Sequence, residues 1–184
     1  MSDADANSDA DTDSETDLRE AQEPLKEQYE EDPEAAKVTL SASGAEQAEE
    51  GRACNVDIGR AIYEAELHEG AGGPGSGACS GDLLLGALAA CSQLTAQAVA
   101  ENFGIDADVS VDVEGDLDLR GTMGVDEDVP VGFEDIRLSV TVDAEEDEID
   151  PDTAAAFERA TEKYCVVYQT LVDPPAIETN WNVD

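Results

Sequence analysis

Two periods of hydrophobic and polar residues run along this chain. Residues 37–42, 53–58 and 61–67 alternate apolar with polar positions, as do residues 109–113 and 136–142. A period of two puts every second side chain on one face, so each stretch is expected as a half-buried strand. Gly59-Arg60 separates the second and third stretches, and glycine's access to positive φ predicts a hairpin there. Residues 121–125 read as loop, and residues 176–181 are expected as a last strand. A glycine-rich stretch at 70–77 lacks the lysine and hydroxyl of a phosphate-binding loop. It reads as a connection passing close to another backbone.

Elsewhere the period lengthens. Residues 83–100 are apolar or small on nearly every side of a helix. Ser80 is expected as the N-cap, Asp82 in the first turn and Gly104 as the stop. About 23 residues at 1.5 Å give a rod of roughly 34 Å. Such a rod should be buried on several sides. Its length invites a membrane reading, but Ser92, Gln93, Thr95 and Gln97 interrupt it, and Asp82 and Glu101 bracket it. A central core helix is the expectation, with no membrane contact. A second helix should open with Asp150 as cap and Pro151 in first position, pass Phe157, Tyr164 and Tyr168, and stop near Leu171 before Pro174-Pro175. Strands, helix, strands, helix and strand in that order predict an α+β fold on antiparallel sheet.

Charge changes the picture. The 184 residues carry 46 acidic against 9 basic side chains, a formal net charge of −37. That much like charge repels itself in a compact state. Molar salt relieves it, because the screening length falls to about 3 Å at 1 M. A soluble cytoplasmic protein of a halophilic cell is therefore expected. The charge excludes a nucleic-acid partner. Residues 1–34 read as a disordered acidic tail and residues 35–184 as one domain. The acidic start does not read as a secretory leader.

Four cysteines without CxxC spacing do not suggest a disulfide framework. Cys91 and Cys165 each fall inside an expected helix among apolar neighbours, with no histidine beside them. That favours redox chemistry over metal binding, although two inert core residues would look the same. His68 is the one histidine. Alone it makes no metal site, and it reads as a loop side chain bonded to nearby backbone. Cys54 and Cys79 read as structural or incidental.

Four segments resemble the OsmC/Ohr family of thiol-dependent peroxidases. They are Leu67-His68-Glu69-Gly70-Ala71-Gly72-Gly73, residues 78–91 ending in Ala89-Ala90-Cys91, residues 114–125, and residues 161–171 around Tyr164-Cys165-Val166. Together they span about residues 60–172. The resemblance implies two long central helices on bent antiparallel sheets, completed in an intertwined homodimer. It implies that Cys91 reduces an organic hydroperoxide and becomes a sulfenic acid, that Cys165 condenses with it to a disulfide, and that an external thiol or dithiol resets the pair. It implies no cofactor and no metal. Cys91 lies too far along its helix for the dipole to act on it, so a cation is needed. Arg60 is similar in place to the family's arginine, with Arg120 and Arg52 behind it. Asp82 resembles the carboxylate that orients that arginine, although nine helical residues put it on the face opposite Cys91. Two other readings stay open: a non-catalytic stress-associated protein holding an apolar ligand at the dimer cleft, and an acidic protein mimicking nucleic acid.

The charge argument has a direct check. Dilution below about 0.5 M salt should unfold or dissociate the protein as screening weakens. An unchanged far-ultraviolet circular dichroism spectrum in dilute buffer would contradict it.

Overall fold

Pairing, more than local alternation, sets the first strands. The computed structural model describes residues 43–46, 53–57, 61–144 and 149–183, with scattered positions between residues 22 and 39. The chain divides into two compact units, residues 1–39 and 40–184. The first contains a 3₁₀ turn at Pro33–Ala36. The second opens with β1 (Ser43–Glu46), β2 (Ala53–Asp57) and β3 (Ile62–Glu66), an antiparallel sheet in that order. Glu46 faces Cys54, and Asp57 faces Ile62. The first strand therefore lies after the alternating stretch at 37–42. Lys37 and Thr39 are outside any strand, and Val38 and residues 40–42 lie outside the described residues. Gly59 and Arg60 also lie outside them.

The glycine-rich connection folds back on β3. A Cβ on Gly73 would collide with the Leu67 carbonyl, so only glycine allows that approach. Glu66 is buried, and its carboxylate accepts from the Gly77 amide and, at 3.2 Å, from the Ser76 hydroxyl. The Glu66 amide donates to the Ala78 carbonyl at 3.0 Å. These bonds deliver the chain to α1 (Ser80–Phe103).

Helix α1 starts one residue earlier in cap than its sequence suggests. Cys79 is the N-cap and Ser80 already helical, because the Asp82 carboxylate accepts from the Cys79 amide at 2.8 Å. Gly104 ends it with φ 70°, and the Ile105 amide returns to the Ala100 carbonyl at 2.9 Å. By length and composition alone α1 could cross a membrane. Here it packs as a core helix against the elements that follow.

Two ten-residue strands, β4 (Ala107–Asp116) and β5 (Asp135–Ala144), pair antiparallel as a second sheet. Val109 faces Val142, Val111 faces Val140 and Val113 faces Leu138, so one face is a ladder of branched side chains. The Gln93 amide donates to the Val109 carbonyl at 2.7 Å and ties α1 to β4. Between the strands the expected loop contains a short helix, α2 (Leu119–Thr122), capped by Asp118.

The expected second long helix is broken. It forms α3 (Pro151–Tyr164) and α4 (Val166–Val172). Its start matches the sequence: Asp150 accepts from the Asp152 and Thr153 amides at 2.9 and 3.1 Å, with Pro151 in the first turn. The break falls at Cys165. Its amide closes α3 on the Thr161 carbonyl at 3.1 Å, and its carbonyl opens α4 to the Gln169 amide at 2.9 Å. Among the described residues no strand follows Ala144, so the stretch expected as a strand at 176–181 lies outside any helix or strand. A strand needs a ladder partner, and Ile177 and Trp181 stand 86% and 84% exposed.

The core joins Ala96, Val99, Ala100, Ile105 and Phe157 against the inner faces of β4 and β5. Phe103 meets Phe157 edge to face at 6.4 Å. Burial on α1 is narrower than its composition predicts. One stripe, Leu88, Ser92, Ala96, Val99 and Ala100, is buried. Leu94, on another face, is 67% exposed, because one two-stranded sheet and the helices α3 and α4 cover only one side.

Phe157→Ala should cost about 3–5 kcal/mol, since it removes the ring that links α3 to the core. Chemical denaturation would measure it, and a loss below about 1 kcal/mol would show that the core does not depend on that ring.

Candidate functional site

The break between α3 and α4 creates an uncommon setting for a thiol. Cys165 has φ −74° and ψ 106°, outside helical values, and is the last cap of α3 and the first of α4. In a continuous helix the Tyr168 amide would donate to the carbonyl four residues back. Here it donates to the Cys165 sulfur at 3.5 Å. From α1, the Ser92 hydroxyl lies 3.4 Å from the same sulfur. Ser92 and Cys165 are both completely buried, at 0% exposure.

These contacts oppose the effect of burial. Burial pushes the Cys165 thiol up, but hydrogen bonds from Ser92, the Tyr168 amide, the Cys91 side chain and the Val167 amide outweigh it. The thiol ends below its ordinary value. The Ser92 hydroxyl and the two backbone amides are neutral donors. The Cys91 side chain adds to the lowering of the Cys165 thiol, after Ser92 and the Tyr168 amide. The thiols of Cys79, Cys91 and Cys165 are free. Cys91 is partly exposed and Cys165 is not.

A cavity of about 510 Å³ lies against Cys165 and Ser92, between β5 and α3. Leu138, Val140 and Val142 from β5, with Ile149 and Phe157, give it apolar walls. Sequence reasoning places apolar surface around Cys91 on α1. Of that surface, Leu88 is buried whereas Leu84, Ala87 and Leu94 are exposed, and the cavity adjoins the other cysteine.

The remaining candidates lie elsewhere or outside the described residues. Asp82 stays at the start of α1, and its carboxyl is held below the usual range first by the Cys79 amide and then by the Cys79 side chain. Because α1 begins at Ser80, Asp82 and Cys91 are about 13 Å apart along the axis. The Arg120 guanidinium pairs with Asp118 at 2.5 Å and with Asp126 at 3.5 Å. Arg60 and Arg52 lie outside the described residues, as does the side chain of Cys54. His68 caps a 3₁₀ turn at Glu69–Ala71, its Nδ1 accepting from the Gly70 amide at 3.0 Å. Among the described residues no cluster of three His, Cys, Asp or Glu could hold a metal ion. Ser92 and Thr161, both buried beside Cys165, were not signalled by motif. Their signal is a hydroxyl in the apolar stripe of a helix.

A model of the family described as OsmC-like protein matches residues 73–180. Comparison with curated proteins gave no match. Among solved structures, an OsmC-like protein from Mycoplasma pneumoniae is similar with a TM-score of 0.59 at 18% identity, over 75% of this chain and 90% of that one. An organic hydroperoxide resistance protein OsmC from Legionella pneumophila gives 0.54 at 19% identity, over 74% and 90%. An organic hydroperoxide resistance protein from Elizabethkingia anophelis gives 0.52 at 17% identity, over 75% and 91%. At these identities the likeness establishes an OsmC-like α+β fold.

Ser92→Ala should raise the pKa of Cys165, because it removes a bond that favours the thiolate and leaves the burial in place. The pH dependence of Cys165 alkylation, read by peptide mass, measures this. An unchanged profile would show that Ser92 does not act on the thiol.

Proposed function

The chain belongs to the OsmC-like protein family, and from that premise we propose that it is a thiol-dependent peroxidase that reduces organic hydroperoxides. One observation carries the reading: the buried Cys165 sulfur meets the Ser92 hydroxyl and the Tyr168 amide, and these, with the Cys91 side chain adding to them, hold its thiol below the ordinary value. Such a thiol suits a cycle that forms and breaks a disulfide.

Accessibility divides the work. Cys91 is partly exposed and meets the oxidant. Its thiolate attacks one oxygen of the O–O bond. The other oxygen leaves with the alkyl group, takes a proton and departs as an alcohol, and Cys91 becomes a sulfenic acid. Cys165 then attacks the Cys91 sulfur as thiolate. A disulfide forms, and the hydroxyl leaves with a proton as water. An external dithiol reduces the disulfide and is itself oxidised to a disulfide. The bonds to Ser92 and the Tyr168 amide serve the second step, because they raise the thiolate fraction of a sulfur that burial would otherwise keep protonated. Overoxidation of Cys91 is irreversible, so a fast second step protects it.

Cys91 itself needs a cation. Arg60 fills that role in this proposal, with Asp82 as the carboxylate that orients it. Arg120 is already held by two carboxylates, which favours Arg60 or Arg52 over it. Leu84, Ala87, Cys91 and Leu94 follow helical spacing on one face of α1. That face is partly or fully exposed, so a second copy of the chain is the proposed cover. The reaction takes place in the cytoplasm, where thiol reductants are available. No cofactor or metal enters the cycle. A second reading, a non-catalytic stress-associated protein that holds an apolar ligand, is supported by the apolar-walled cavity beside Cys165.

Turnover of cumene hydroperoxide with dithiothreitol in molar KCl tests the proposal. Cys91→Ser should lose at least a hundredfold in kcat/KM. One equivalent of peroxide should give a Cys91–Cys165 disulfide by mass spectrometry. Full activity in Cys91→Ser would remove the peroxidase reading.

A further inference from the structure

The cavity beside Cys165 contains a polar atom that the cysteine cycle does not use. Thr161 sits on α3, one turn before Cys165, and lines the cavity. It is 4% exposed, and its hydroxyl has no hydrogen-bond partner among the described residues. A buried hydroxyl without a partner is costly, and a threonine in a helix usually returns its hydroxyl to a carbonyl of the preceding turn. The atom is thus a donor left open within apolar walls.

Charge restricts what could fill the space. Glu158, exposed, and Glu162, half-buried, also line the cavity. Their field reaches inside it. Tyr168, another lining residue, has its phenol held above the ordinary value first by burial, then by the Glu162 charge, with Glu158 adding to it. An anionic headgroup in the same space would meet the same repulsion.

We propose that this cavity binds a neutral, single-chain amphiphile of the fatty alcohol class and discriminates against the matching carboxylate. The alkyl chain lies along Leu138, Val140, Val142 and Phe157, and its one oxygen accepts a hydrogen bond from the Thr161 hydroxyl. The volume of about 510 Å³ falls within the range of small-molecule pockets. Selectivity comes from two sources: an unpaired donor that rewards an oxygen, and two carboxylates that penalise a negative charge. The inference does not require the peroxidase cycle, since neither the donor nor the acidic pair touches Cys91.

Isothermal titration of the full chain carrying Cys91→Ser, in 1 M KCl at pH 8, tests it with 1-nonanol and nonanoate as probes. Nonanol should bind at least tenfold more tightly than nonanoate. Thr161→Val, which keeps the volume, should weaken nonanol about three- to tenfold. Glu158→Gln combined with Glu162→Gln should narrow the gap between the probes to below threefold. Equal affinity for the two probes would overturn the proposal, as would no nonanol binding at millimolar concentration by protein that is folded. Unchanged binding in Thr161→Val would overturn it too, since the hydroxyl would then serve a trapped water and not a ligand. Peroxide turnover by the unmodified chain without nonanol binding would remove this site alone. Nonanol binding without turnover would remove the peroxidase and keep the site.

Discussion

A single buried contact, the Ser92 hydroxyl against the Cys165 sulfur, connects the parts of this fold that matter for chemistry. It joins the buried stripe of α1 to the break between α3 and α4. Helix continuity at 165 would send the Tyr168 amide to a backbone carbonyl and leave the sulfur with burial as its main influence. The break releases that amide to the sulfur, and the Gln169 side chain covers an exposed end by donating to the Glu162 carbonyl at 2.9 Å. A defect in a helix thus becomes a setting for a thiol.

The choice of donors suits the chain's charge. Nine basic residues face 46 acidic ones, and two of the described arginines, Arg120 and Arg137, are engaged by carboxylates. Arg137 on β5 is gripped by Glu114, Asp116 and Asp135, and Arg120 by Asp118 and Asp126. A thiolate supported by exposed guanidinium would lose much of that support in concentrated salt. Hydroxyl and amide donors buried with the sulfur are not screened in this way. Neutral tuning of Cys165 therefore holds across a wide range of ionic strength.

Much of this was legible in the sequence where periodicity was strong. Helix α1, strands β4 and β5, the Asp150-Pro151 start and the Gly104 stop follow from spacing and cap chemistry. The break at Cys165 was hidden for a physical reason. Phe157, Thr161, Cys165 and Tyr168 keep a helical period through it, and a thiol is not among the usual N-cap residues. The strand expected at 176–181 failed because alternation supplies a face but not a ladder partner. Cys91 and Cys165 stood out through resemblance, whereas Ser92 and Thr161 required tertiary structure. Each is a hydroxyl in an apolar stripe, and only the packing shows that one meets a sulfur and the other an empty space.

Residues 173–183, outside any helix or strand, carry a further consequence for any optical study of this chain. Trp181 is its one tryptophan and is mostly solvated. Tryptophan emission is therefore a one-site signal from the end of the chain, insensitive to loosening around Phe157 or the thiols. A fluorescence melt and a circular dichroism melt would follow different events, and a mismatch between them would not by itself imply a folding intermediate.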